Sequence, residues 1–64
     1  MKTTADKLQQ YFEKQIPNSI NRIVILHENN NYVTFTKNGN RYEAILEKGR
    51  ILKGYVKPMS TINY

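Results

Sequence analysis

The sequence predicts an α+β fold, with one N-terminal helix packed on a three- or four-stranded antiparallel β-meander. Apolar residues recur at helical spacing in the first quarter of the chain, and short β-rich segments alternate with turns in the rest. These turns are too short for the crossover connections that parallel strands need, so the strands should run antiparallel. A chain of 64 residues suffices for a single domain.

The helix is expected over about residues 4–16. Thr3 is a candidate N-cap, and Asp6 follows it three residues later, where a carboxylate favours the positive end of a helix. Pro17 should end the helix, because proline disfavours helical geometry at the residue before it. The apolar positions that define the buried face are Ala5, Leu8, Phe12 and Ile16.

Four strands are expected, over about residues 22–27, 32–37, 41–46 and 50–56. Asn38-Gly39 is the strongest turn signal, because both central residues of a type I′ hairpin need positive φ. Gly54 should weaken the fourth strand or mark a bulge. Residues 57–64 are expected to form a loose tail.

The strand over residues 22–27 does not show the alternation expected of a sheet covered on one side only. Ile23 and Ile25 can face the helix, which leaves the intervening apolar residues on the far face. An exposed apolar patch usually marks an interaction surface. We therefore predict a protein interface, including a homodimer, at Val24, Leu26, Ile45 and Tyr55. In an alternative arrangement, the tail folds back over this patch through Met59 and Ile62.

A second candidate surface follows from the charge. The net charge is +5, and six of the ten basic residues lie from Lys37 onward. Lysine and arginine can neutralise phosphates, and tyrosines can stack on bases, so this half of the chain could bind nucleic acid. The residues expected to make these contacts are Lys37, Arg41, Tyr42, Arg50, Lys53, Tyr55 and Lys57.

No pattern in the sequence predicts an enzyme, a metal site or a cofactor. His27 is the only histidine and belongs to no catalytic motif, and four-ligand zinc sites need more Cys or His residues than this chain has. Without cysteines, the chain suits a reducing compartment. Because the N-terminus has no apolar run and the longest apolar run is four residues, we expect neither export nor membrane insertion, and hence a cytoplasmic protein.

The order of these segments resembles the helix-plus-meander unit of PepSY-like and β-lactamase-inhibitor-type domains. The similarity is carried by residues 16–18 at the helix end, 32–35 in a strand, 37–39 in a turn and 42–46 in the next strand. Such domains are non-catalytic, and several bind and restrain other proteins. Together with the exposed patch, the resemblance favours a non-enzymatic binding or regulatory module that acts through the uncovered sheet face on a protein partner or on itself. The alternative is a nucleic-acid-binding module that uses residues 37–57.

Overall fold

The computed structural model describes residues 2–59 and has the predicted α+β architecture, one helix and an antiparallel sheet. The elements are α1 (Thr4–Gln15), β1 (Ile23–Glu28), β2 (Tyr32–Lys37), β3 (Asn40–Glu47), β4 (Arg50–Ile51) and β5 (Lys57–Pro58). The helix precedes all the strands, and the sheet order is β1-β2-β3-β4, with β5 also paired to β3.

Helix α1 begins with a capping box. The Thr3 hydroxyl accepts from the Asp6 N–H at 3.1 Å, and the Asp6 carboxylate accepts from the Thr3 N–H at 3.2 Å. Before Pro17, the backbone of Ile16 is extended, with φ −132° and ψ 95°. Ile16 was predicted to lie on the buried face, which is wrong: its side chain is 64% exposed. Because the backbone leaves helical geometry at Ile16, its side chain leaves the stripe formed by the apolar residues before it.

A two-residue turn sets the register of β2 against β3. Asn38 and Gly39 have φ of 53° and 89°, as a type I′ turn requires, and they pair Lys37 with Asn40. From that pair the ladder runs without interruption to Tyr32 and Ile45. Side chains alternate along it, so this turn decides which residues of β2 and β3 share a face.

The predicted fourth strand over residues 50–56 is wrong as a single element, and the predicted tail begins too early, because Lys57–Pro58 form a strand. The rest of that tail from residue 60, including Ile62, which was predicted to fold over the far face of the sheet, lies outside the described residues. Strand β4 ends at Ile51, and β5 resumes the pairing with β3. The register places residues 52–56 opposite two residues of β3. Gly54, with φ 88°, allows the chain to loop out here. Pro58 fits β5 because an outer strand tolerates a residue without an N–H.

The core lies between α1 and one face of the sheet. Leu8 and Phe12 contribute from the helix, and alternate residues of β2 and β3 contribute from the sheet. Ile23 and Ile25 pack at its margin, on the side that the sequence predicted. The buried residues are Leu8, Phe12, Val33, Phe35, Ala44 and Leu46.

Candidate interaction surface

The face of the sheet opposite α1 is its open face, because no element within residues 2–59 packs over it. It is built from the strand positions that alternate with the buried ones. Four rows of paired residues lie on it. They are Val24–Thr36–Arg41, His27–Thr34–Glu43–Lys57, Tyr32–Ile45 and Glu47–Arg50.

A tyrosine–carboxylate pair lies near the centre of the open face. The Tyr32 hydroxyl donates a hydrogen bond of 2.7 Å to Glu43 Oε1 from a diagonal position on the neighbouring strand. This bond raises the pKa of the Tyr32 phenol above its usual value, because it holds the phenol proton and the carboxylate charge disfavours phenolate. The bond fixes the orientation of both side chains on a face otherwise open to solvent.

The four predicted interface residues are all exposed, at 51% for Val24, 50% for Leu26, 37% for Ile45 and 51% for Tyr55. The structure does not bring them into one patch. Val24 lies on the first strand and Ile45 on the third, two strands and four ladder positions apart, or roughly 16 Å at ordinary sheet spacings. The side chains of Thr34, Thr36 and Glu43 lie on the face between them.

Leu26 is the extra residue of a β-bulge. The register of β1 against β2 shifts between Ile25, which pairs with Phe35, and His27, which pairs with Thr34. Val24 and Leu26 are two residues apart on β1, so they lie close together. Tyr55 is remote from them, in the loop over residues 52–56 on the other side of β3. Of the four predicted interface residues, only Val24 and Leu26 are neighbours, and both lie on β1.

Two of the predicted nucleic-acid contacts lie on the helix side of the sheet. Tyr42 pairs with the buried Phe35, and their rings stack with centroids 5.7 Å apart. Lys37 Nζ lies 4.4 Å from the centroid of the Phe12 ring and 5.3 Å from that of Tyr42. A cation over aromatic faces contributes to stability, so this lysine and tyrosine serve the core.

The other predicted cations divide between two places. Arg41, Arg50 and Lys57 occupy open-face positions, opposite Thr36, Glu47 and Glu43 respectively. Lys53 instead lies in the loop over residues 52–56. It lines a shallow groove of about 590 Å³ together with Lys48 and Arg50. The seven predicted residues therefore do not form one continuous basic surface.

Residues 2–59 lack both a metal-binding cluster and a membrane-spanning helix. This part of the chain has no cluster of three or more His, Cys, Asp or Glu side chains that could hold a metal ion. Its single helix is too short and too polar to span a bilayer.

The sequence-based prediction missed the central row of the open face and the Tyr32–Glu43 bond. The sequence did contain the information for this row, because a two-residue turn at Asn38-Gly39 pairs Lys37 with Asn40. Each step back along β2 then pairs with one step forward along β3. That register places Thr34 opposite Glu43 and Tyr32 one diagonal away. No pattern along the chain gave the β1 bulge.

The chain was compared with family models, curated proteins and solved structures, and none of them matches it. The similarity to PepSY-like and β-lactamase-inhibitor-type domains therefore stays a prediction.

Proposed function

We propose that this protein is a small, non-enzymatic binding or regulatory module that acts in the cytoplasm on a protein partner or on a second copy of itself. One observation carries the proposal. A single helix covers one face of the sheet, and the opposite face presents apolar side chains beside polar groups held in fixed positions.

The open face has the mixed chemistry of a non-obligate protein interface, which is only about as apolar as ordinary protein surface. Val24 and Ile45 offer apolar area, and Tyr32 offers a large ring already oriented by Glu43. Little side-chain entropy is lost when an already oriented group binds, and tyrosine is enriched among residues that dominate binding. These features support a protein partner over a small-molecule substrate.

The proposal is tested by affinity purification of the tagged protein from its native host, with nuclease present throughout. Ile45→Lys places a positive charge on the open face, and the control Gln9→Lys places the same charge on the exposed surface of α1. A partner of the open face is retained by the parent and by Gln9→Lys but lost with Ile45→Lys. Equal recovery with both variants would show that the open face is not the binding surface.

Nucleic-acid binding is the second candidate, and the groove lined by Lys48, Arg50 and Lys53 favours it. Arg41 and Lys57 add positive charge on the open face, but Glu43 and Glu47 lie among these cations. The interleaved carboxylates would oppose a phosphate backbone, so this function ranks second. A parallel purification without nuclease tests it, and material that is recovered only in that second purification would favour nucleic-acid binding.

A further inference from the structure

We infer that the outer edge of β1 pairs with the β1 edge of a second copy, antiparallel, about a two-fold axis at Val24. This inference rests on the proposed function, since a second copy is one of the two partners named there. It selects the strand edge, and not the open face, as the surface of self-association.

The direction of the backbone N–H and C=O groups along β1 determines which of its residues can bond to another strand. The Asn38 N–H donates to the Arg22 carbonyl oxygen at 2.9 Å, so the Arg22 carbonyl points towards β2. In an antiparallel ladder, successive residues direct their backbone groups to opposite sides. Val24 therefore also bonds to β2, and Ile23 and Ile25 direct their N–H and C=O groups outward. Within residues 2–59, β1 is the first strand of the sheet and pairs with β2 alone.

These outward groups are self-complementary. When Val24 faces the Val24 of a second antiparallel copy, Ile23 of each chain faces Ile25 of the other. Each such pair exchanges two hydrogen bonds, so the edge gains four, and Val24 occupies the close, non-hydrogen-bonded position between them. The bulge at Leu26 changes the direction of the backbone groups beyond it, which confines the pairing to this register.

The two edges of the sheet differ in how well their residues block pairing with a strand of another molecule. Natural sheets block unwanted pairing with charged residues and proline on edge strands. The edge formed by β4 and β5 carries Arg50, Lys57 and Pro58. Residues 23–26 of β1 contain neither a charge nor a proline, and Val24 and Leu26 are half exposed there. The unprotected edge is the one whose groups match a second copy.

Charge selects the antiparallel orientation. Arg22 precedes β1 and Glu28 ends it, so the strand is basic at one end and acidic at the other. Antiparallel pairing brings the basic end of each copy beside the acidic end of the other, whereas parallel pairing would place like charges together. Salt screens both this attraction and the repulsion between two copies of net charge +5, so the dimer should depend on salt far less steeply than nucleic-acid binding does.

A cysteine scan tests the register, because the chain has no cysteine of its own. Non-hydrogen-bonded partners have Cα atoms about 4.5 Å apart, which is within disulfide range. Val24→Cys should therefore form a disulfide-linked dimer under mild oxidation, and Ile45→Cys on the open face should do so much more slowly. Circular dichroism of both reduced variants checks that each is folded.

Sedimentation velocity over a concentration series tests the association without cross-linking. Val24→Lys places two like charges opposite each other and should weaken the dimer by at least about tenfold, whereas Ile45→Lys should leave it unchanged. Synthetic protein with an N-methyl group on the Ile25 amide removes one outward donor with the side chain intact, and it should also sediment as a monomer.

The outcomes separate this inference from the proposed function. A parent that stays monomeric at all concentrations, with no Val24→Cys cross-link, overturns the edge dimer but leaves a heterologous open-face partner in place. A dimer that is lost with Ile45→Lys and cross-linked by Ile45→Cys overturns the edge inference and supports self-association through the open face. A dimer that survives N-methylation of Ile25 also overturns it.

Discussion

The Tyr42 ring stacks on the ring of Phe35, its direct partner across β2 and β3, with an interplanar angle of 16°. Phe12 of α1 approaches both rings, with centroids 6.2 Å from Phe35 and 5.7 Å from Tyr42. Lys37 places its ammonium group over Phe12. This cluster joins the helix to the centre of the sheet, so changes to Tyr42 or Lys37 should act first on stability.

Phe35→Ala should lower the free energy of unfolding by roughly 3–5 kcal/mol, the range for truncation of a buried aromatic side chain. Phe35 is fully buried and contacts rings from both the helix and the neighbouring strand. The measurement is urea denaturation followed by circular dichroism, with Thr34→Ala on the open face as the control. A Phe35→Ala protein that unfolds at the parent's urea concentration would contradict this assignment of the core.

Asn38 connects the β2–β3 turn to the segment before β1, and its replacements should differ in a defined order. Its side-chain oxygen accepts from the Arg22 N–H at 2.8 Å, and its amide donates to the Ile20 carbonyl at 2.9 Å. Asn38→Gly keeps the positive φ but loses both bonds, which should cost about 1 kcal/mol. Asn38→Ala also strains the backbone and should cost about 1 kcal/mol more.

Thermal and urea unfolding of the two Asn38 variants measure this difference. Asn30→Ala, a change in the exposed loop between β1 and β2, provides the control. If Asn38→Gly and Asn38→Ala lower the free energy of unfolding equally, the positive φ contributes nothing to stability. If Asn38→Gly does not lower it at all, the two side-chain hydrogen bonds contribute nothing.

The Tyr32–Glu43 bond should be visible in a pH titration. Glu43→Gln removes the negative charge beside the phenol, so the raised pKa of Tyr32 should fall back towards about 10. NMR of ring-labelled tyrosine measures the pKa, with the Tyr32 signal assigned from Tyr32→Phe. Glu47→Gln is the matched control. A Tyr32 pKa that is the same in the parent and in Glu43→Gln would contradict the bond.

The same bond makes a prediction about stability. The folded-state pKa of Tyr32 lies above its unfolded value, so the stabilisation is complete below a pH of about 10 and is lost as the pH rises through the folded-state pKa. The stability difference between the parent and Glu43→Gln should therefore shrink above that pH. A difference that grows with alkaline pH would contradict the assignment.

Nucleic-acid binding, if present, should be steeply salt-dependent. Arg41→Ala, Arg50→Ala and Lys53→Ala should each weaken binding to duplex DNA and flatten the logarithmic salt slope by about 0.9 for each phosphate contact removed. Fluorescence anisotropy with labelled single- and double-stranded oligonucleotides provides the measurement, and Lys14→Ala on α1 is the control. The absence of binding to either probe at low salt would eliminate this function.

Local chemistry in the sequence determined most of the fold. Thr3 and Asp6 begin the helix by satisfying its first N–H groups, and Pro17 forces the preceding residue out of helical geometry. Asn38-Gly39 adopts positive φ readily, so it closes a two-residue hairpin and fixes the pairing of β2 with β3. Each of these effects acts between residues close in the chain, which is why the sequence alone predicts it.

Contacts between residues far apart in the chain decided the remaining features of the fold and the positions of the candidate site residues. Tyr42 and Lys37 look like ligand-binding residues in the sequence, but their positions on the helix side place them against Phe12. The looping out of residues 52–56 lets β5 rejoin β3, and the bulge at Leu26 keeps exposed apolar surface at the β1 edge. The sequence supplied the apolar residues, but only packing across the sheet could separate core, open face and edge, because burial depends on neighbours that are remote along the chain.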